Sequence, residues 1–150
     1  MKTIYVIGPS AVGKTTLCKQ LSEALRSVVH VSFDEQLKLL LELPFPMPQE
    51  RSGEEGREFW RFCKGVIDRF RQSQGSDIIL LIDVDAGAEY VPECQAYLID
   101  HAESLICVMV APDFLYQRQM ERAAKTGNPS EAKETFLERE FSPDLQRLYQ

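Results

Sequence analysis

A glycine-bracketed segment near the start of the chain constrains its fold more than any other feature. Residues 8–15 read Gly-Pro-Ser-Ala-Val-Gly-Lys-Thr and fit the pattern G-x-x-x-x-G-K-[ST]. The apolar run Thr3–Ile7 leads into this segment, and the helix-favouring run Thr16–Leu25 leads out of it. A strand that passes through a glycine-containing turn directly into a helix is typical of parallel α/β domains.

The residue types in this segment suit it to bind the phosphates of a nucleoside triphosphate. Gly8 and Gly13 allow a tight bend, so that successive backbone N–H groups can point into one anion site, and the following helix adds the positive end of its dipole. The Lys14 ammonium can reach the β- and γ-phosphates, and the Thr15 hydroxyl can bind Mg²⁺. We therefore expect ATP and Mg²⁺ as cofactors. The predicted nucleotide-binding residues of the loop are Gly8, Ser10, Ala11, Val12, Gly13, Lys14, Thr15 and Thr16.

Composition narrows the class of protein. The 150 residues carry a net charge of −6, which disfavours broad binding to nucleic acid or membranes without excluding a small basic cleft. Residues 8–15, which we call the phosphate loop, begin so close to the start of the sequence that no signal peptide is expected. The apolar runs are shorter than the roughly 20 residues of a membrane span. We expect a cytoplasmic monomer or homodimer that acts on a small molecule.

His30 and His101 lack a local partner pattern, and no role is predicted for them.

Alternating strand and helix patterns predict the remaining architecture. Apolar runs indicate strands at 28–33, 77–84 and 105–110, and helical patterns occupy 35–43, 54–74, 92–101, 112–124 and most of 131–150. This order predicts one domain over residues 1–150, a P-loop NTPase fold of three α/β/α layers around a parallel sheet of about four strands. The polar break at 126–130, between helix ends that contain basic residues, indicates a helical lid over about residues 118–139.

Carboxylates at the predicted strand ends are candidates for metal and acceptor chemistry, because ligands of parallel sheets bind at the carboxyl ends of the strands. Asp83 and Asp85 close the third strand, where a phosphate-loop site takes its second metal contact, and side-chain alternation does not choose between them. Asp34 closes the second strand and can orient or deprotonate an acceptor hydroxyl, or cap the following helix. The predicted metal residues are Thr15, Asp83 and Asp85.

Phosphoryl transfer also needs cations around the γ-phosphate. Arg118 and Arg122 precede the polar break and Arg139 follows it, so closure of the lid can bring them to the nucleotide; the alternative is a charged helix surface. Arg57 and Arg61 precede the third strand and can hold an anionic acceptor or form ordinary surface charge. Arg118 is a predicted nucleotide contact, and the predicted catalytic residues are Lys14, Asp34, Arg122 and Arg139.

These segments together resemble the small P-loop kinases, most closely the shikimate-kinase-like group within the nucleoside-monophosphate-kinase fold. Val31–Asp34 stands where that group has an Asp-x-Asp pair, and Asp85–Gly87 stands where it has a triple-glycine substrate loop. Gly53–Phe59 is similar to its Gly-Glu…Phe-Arg segment, and Glu138–Glu140 to its later Glu-Arg element. The resemblance adds Gly87 to the predicted acceptor site, which also includes Asp34, Arg57 and Arg61.

Departures from the group's pattern bear on the acceptor and on the sheet. Ser32 replaces the first Asp of the pair, and two of the three loop glycines are absent, so shikimate itself is not the expected acceptor. The group has a fifth strand and an adenine-binding loop beyond the Glu-Arg helix, which this sequence does not reach. A truncated sheet, a minimal four-stranded variant and a sheet completed by a partner remain open.

The expected function is that of an ATP-dependent kinase, which transfers the γ-phosphoryl group of Mg-ATP to a small hydroxyl-bearing acceptor. Two alternatives stay open. One is a nucleotide-binding or hydrolysing regulatory module, and the other is a kinase of polynucleotide 5′ ends.

Overall fold

The protein has a central parallel sheet with helices on both faces. The computed structural model describes residues 1–33, 35–36, 53–84, 89, 91–101, 104–127 and 131–149. The strands in these ranges are β1 (Lys2–Ile7), β2 (Val28–Ser32), β3 (Ile79–Asp83) and β4 (Leu105–Cys107). The helices are α1 (Lys14–Ala24), α2 (Gly53–Ser73), α3 (Pro92–Ile99), α4 (Pro112–Thr126), α5 (Lys133–Glu140) and α6 (Pro143–Tyr149).

The loop that follows β1 lies at the carboxyl end of the sheet, and β1 is one of its two inner strands. The sheet runs β2-β3-β1-β4, and all of its pairings are parallel. Asp83 pairs with Val6 on one side and with Ser32 on the other, so the carboxyl ends of three strands are level with one another. The predicted α/β fold with a parallel sheet of about four strands is confirmed.

Two hydrophobic clusters fill the space between the sheet and its helices, because strand side chains alternate between the faces. One cluster joins Tyr5 and Ile7 of β1 to side chains of α2 and α3, including Trp60 and Leu98. The other cluster contains Val6, Cys18, Val28 and Leu81 and packs α1 against the opposite face. These clusters form the two interfaces of the three-layer arrangement.

A third cluster connects the helices of the predicted lid to the phosphate loop. Val12 of the loop packs against Leu115 of α4 and Phe136 of α5, and all three side chains are buried. The Tyr116 hydroxyl also donates to the Glu131 carbonyl at 3.1 Å, which ties α4 to the segment before α5. The loop is therefore packed directly under α4 and α5.

Some element boundaries differ from those predicted. Strand β4 ends at Cys107 rather than at residue 110, although the Val108 N–H still donates to the Ile7 carbonyl at 2.9 Å. The helix predicted at 35–43 lies almost entirely outside the described residues; Glu35 and Gln36 are helical. The interruption predicted near Pro143 is present, because this proline begins α6.

Among the described helices, none combines the length and apolar character needed to cross a bilayer.

Candidate active site

The loop between β1 and α1 has a backbone conformation suited to binding an anion. Gly8, Ala11 and Gly13 have φ angles of 141°, 63° and 105°. A Cβ atom at Gly8 would lie 2.3 Å from the Val108 carbonyl oxygen, so only glycine fits there. Gly13 is the N-cap of α1 and has no side chain to cover the first helical N–H groups. An anion at this helix start would accept hydrogen bonds from those groups.

The Lys14 side chain is buried and folds back on its own loop. Its Nζ atom donates to the Gly8 carbonyl at 2.5 Å and to the Pro9 carbonyl at 3.3 Å. The same atom lies 3.8 Å from Oε1 of Glu89. The ammonium is thus held beside the loop backbone, where a phosphate oxygen would compete for its protons.

Two oxygen donors for a cation meet at the ends of α1 and β3. The Thr15 hydroxyl donates to Oδ2 of Asp83 at 2.5 Å, and Asp83 is buried at the carboxyl end of β3. Hydroxyl and carboxylate oxygens are ligands that Mg²⁺ accepts. His30 lies at the same point, because its Nε2 atom is 3.8 Å from Asp83 Oδ2. The donor set fits a divalent cation, which Thr15 and Asp83 would hold.

Arg118 on α4 lies against the phosphate loop. Its Nη1 atom donates to the Val12 carbonyl at 3.2 Å, and its guanidinium nitrogens would be 3.3 Å from a Cβ atom at Gly13. Arg122 is exposed one helical turn further along. A fixed cation therefore borders the site on the side of α4.

Arg139 and Glu140 connect α5 to the loop. Arg139 donates to Glu140 Oε1 at 3.1 and 3.2 Å and to Glu131 Oε2 at 2.5 Å. Burial opposes the charge of Arg139, but the two carboxylates outweigh this effect and raise its pKa. The other oxygen of Glu140, Oε2, accepts the Ser10 N–H at 2.7 Å. A buried carboxylate thus already occupies one amide of the predicted nucleotide-binding loop.

Glu89 is a second buried carboxyl group at the loop. Its Oε1 atom accepts the Gly8 N–H at 3.1 Å, and its Oε2 atom accepts the Tyr149 hydroxyl at 2.6 Å. The side chain has no exposed surface, and burial raises the pKa of Glu89 to about 7, although Lys14, Tyr149 and Gly8 act in the opposite direction. Glu89 therefore fixes the start of the phosphate loop to α6.

The remaining predicted site residues are distributed as follows. The side chains of Thr16, Arg57, Arg61 and Arg122 are exposed. Asp34, Asp85 and Gly87 lie outside the described residues. Of Asp83 and Asp85, only Asp83 lies within the described residues, and its carboxylate accepts the Thr15 hydroxyl. Within the described ranges, no three His, Cys, Asp and Glu side chains form a cluster that could hold a metal.

Sequence reasoning assigned no role to several residues at this site. Glu89 carries no local signal, since a glutamate between a predicted strand and a predicted helix is ordinarily exposed. Glu140 belongs to the Glu-Arg element that the resemblance identified, but its contact with Ser10 depends on how α5 packs. His30 sits within an apolar strand, where its approach to Asp83 depends on the register between β2 and β3.

Comparison with known proteins places the chain in a family. A family model described as an AAA domain matches residues 4–141. No curated protein sequence matches the chain at a significant level. One similar solved structure is a chain of the Pnkp1/Rnl/Hen1 RNA repair complex, with 14% identity and a TM-score of 0.67. The match covers 98% of this chain but only 44% of that one, so this chain spans less than half of its length.

Two further structures share the fold. A shikimate kinase from Acinetobacter baumannii, in complex with shikimate, has 20% identity and a TM-score of 0.64, over 99% of this chain and 78% of that one. A gluconokinase from Sinorhizobium meliloti 1021 has 18% identity and a TM-score of 0.52, over 95% of this chain and 76% of that one. The chain belongs to the AAA domain family and has the fold of the small P-loop kinases.

Proposed function

We propose that the protein is an ATP-dependent kinase that transfers the γ-phosphoryl group of Mg-ATP to a hydroxyl group of a small acceptor. The observation that carries this proposal is the contact between Thr15 and Asp83 beside a loop in the anion-binding conformation. A bare anion site would need only the loop and the helix start. An oxygen pair for a cation next to that loop is what a metal-bound triphosphate requires in addition.

The described residues supply positioning and charge stabilisation, which are the main needs of phosphoryl transfer. The N–H groups at the start of α1 bind phosphate oxygens, and Lys14 leaves the loop carbonyls to neutralise charge on the transferred group. Arg118 already borders the loop and adds a second positive charge. Thr15 and Asp83 would hold Mg²⁺, which would supply positive charge to neutralise the charge that develops in transfer.

Arg139 reaches the nucleotide in this proposal only after its ion pairs rearrange. The Glu140 carboxylate accepts hydrogen bonds from both the Arg139 guanidinium and the Ser10 N–H. A phosphate oxygen that takes over the Ser10 N–H displaces the Glu140 carboxylate and separates it from the loop. The guanidinium of Arg139 can then bind the phosphate instead of the carboxylate, because each group presents two oxygen acceptors to it.

The acceptor is expected beside the ends of β2 and β3. Ser32 and Asp83 are level with each other there, and Asp34 follows Ser32 by two residues. Asp34 would orient the acceptor hydroxyl, Gly87 would be a further contact, and Arg57 or Arg61 would bind an anionic group. Shikimate kinase and gluconokinase share the fold, so sugar acids and cyclic hydroxy acids belong in the first acceptor panel.

A second candidate is a kinase of polynucleotide ends. The observation in its favour is the match to a chain of an RNA repair complex over 98% of this chain. The net charge of −6 opposes it, because nucleic-acid binding is driven mainly by contacts between basic residues and phosphates. Salt-sensitive binding of 5′-hydroxyl oligonucleotides would support this candidate over a small acceptor.

The first experiment measures ADP release from Mg-ATP with a panel of acceptors, which includes sugar acids, shikimate, nucleosides, antibiotics with hydroxyl groups and 5′-hydroxyl oligonucleotides. Stimulation by one acceptor supports the kinase and names its substrate class. Lys14→Ala should lose this activity, and Lys19→Ala, which changes an exposed lysine on the same helix, should keep it. Tight ATP binding without stimulation by any acceptor contradicts the kinase and favours a nucleotide-binding regulatory module.

A further inference from the structure

His30 carries a buried polar atom that no protein group satisfies within the described residues. The side chain is 8% exposed, and its Nε2 atom has no hydrogen-bond partner. A buried donor or acceptor without a partner destabilises the folded state, because it loses its hydrogen bonds to water. Such atoms are rare in native proteins, and an absent water or ion is one of their ordinary explanations.

The unsatisfied nitrogen faces the oxygen pair of the candidate cation site. On β2, His30 and Ser32 point to the same face, and Ser32 is level with Asp83 on β3. The Nε2 atom of His30 is therefore 3.8 Å from Asp83 Oδ2, the oxygen that accepts the Thr15 hydroxyl. Polar atoms from β2, β3 and α1 converge at this point.

The separation is too long for a hydrogen bond, and a small movement would bring the two atoms to the spacing of two ligands of one cation. Hydrogen bonds between nitrogen and oxygen span about 2.7–3.2 Å. Two adjacent ligand atoms that each lie about 2.0–2.2 Å from an octahedral cation are roughly 3 Å apart. The Nε2 atom of His30 and Oδ2 of Asp83, 3.8 Å apart, would therefore need to approach each other by somewhat less than about 1 Å to share a cation.

We propose that His30 is a third, nitrogen donor of the cation site at Thr15 and Asp83, and that this site binds Mn²⁺ in preference to Mg²⁺. The inference rests on the proposed function, because it concerns the cation that accompanies the triphosphate. Neutral imidazole suits transition metals, whereas Mg²⁺ takes oxygen ligands almost exclusively. With a cation bound, the Thr15 hydroxyl would turn its proton away from Asp83, and the two oxygens, 2.5 Å apart in this structure, would separate.

The proposal has a direct spectroscopic test in the unmodified protein. Pulsed electron paramagnetic resonance of bound Mn²⁺, with ATP present, detects nitrogen nuclei that are coordinated to the metal. Protein labelled with ¹⁵N only in histidine separates histidine from the ¹⁴N of adenine and of the backbone. The sequence contains only two histidines, and His101 stacks on Tyr97 with its Nδ1 atom 2.7 Å from the Tyr97 carbonyl oxygen.

We expect a ¹⁵N coupling to Mn²⁺ in the wild-type protein and in the matched control His101→Gln, and its loss in His30→Gln. In binding titrations, His30→Gln should weaken Mn²⁺ affinity by about 10-fold and change Mg²⁺ affinity much less. Mn²⁺ that binds with ATP but shows no ¹⁵N coupling would overturn the nitrogen donor and leave the proposed kinase intact. Absence of Mn²⁺ and Mg²⁺ binding in the presence of ATP would overturn both.

Discussion

Replacing Glu89 with glutamine should remove a pH dependence in the free energy of unfolding of the wild-type protein. Burial raises the pKa of Glu89 from 4.5 to about 7, so the folded state keeps a proton that the unfolded chain releases in this range. The stabilisation from the protonated carboxyl group is fully present below pH 4.5 and is lost as the pH rises through about 7. One pKa unit corresponds to about 1.4 kcal/mol, so the loss is about 3 kcal/mol.

The substitution Glu89→Gln is close to the protonated state in shape and charge. The oxygen of the new side-chain amide can still accept the Gly8 N–H, and the amide can still meet the Tyr149 hydroxyl. The expected difference between the two proteins is therefore small at low pH and grows in favour of the variant as the pH rises.

Urea unfolding at several values between about pH 4 and about pH 8 measures this difference. We expect Glu89→Gln to gain about 3 kcal/mol relative to the wild type across this range. Glu58→Gln, which changes an exposed glutamate on α2, is the matched control and should follow the wild type. Parallel pH profiles for wild type and Glu89→Gln would refute the account of Glu89 as a buried, proton-retaining group.

Three further perturbations test the site. Gly8→Ala should destabilise the protein by at least about 2 kcal/mol in thermal unfolding, because its Cβ atom would meet the Val108 carbonyl at 2.3 Å; Gly65→Ala, in open space on α2, should be neutral or stabilising. Glu140→Gln should tighten ATP binding several-fold in calorimetry, because it removes a negative charge that competes with phosphate for the loop N–H; weaker binding would contradict this reading. Asp34→Asn should lower the rate of transfer far more than ATP affinity, and equal losses would argue against a role on the acceptor side.

The sheet and the phosphate loop could be predicted because their signals are local. The run Ile79–Asp83 is apolar on both faces, as a strand inside a parallel sheet must be, and it ends in a carboxylate. The spacing of Gly8, Gly13 and Lys14 prescribes the loop conformation before any tertiary contact is known. The end of β4 was less predictable, since residues 108–110 continue its apolar pattern beyond the last paired residue.

The polar contacts around the loop could not be predicted because they depend on distant packing. Glu89 meets Tyr149, which follows it by 60 positions in the sequence, and Glu140 meets Ser10 across 130 positions. The contact between Asp83 and Thr15 also depends on the position of α1 relative to β3, which residue type does not indicate. Residue type alone indicates neither the burial of a glutamate nor its partner.

The fate of the γ-phosphate of ATP distinguishes a phosphotransferase from a hydrolase and from a protein that only binds ATP. The protein is incubated with Mg-ATP, or Mn-ATP, that is radiolabelled in the γ-phosphate, together with the most stimulating acceptor of the panel. We expect the label to appear in a phosphorylated acceptor, and we expect Lys14→Ala to form none of this product. Label found only in inorganic phosphate, or equal transfer by Lys14→Ala, would contradict this expectation.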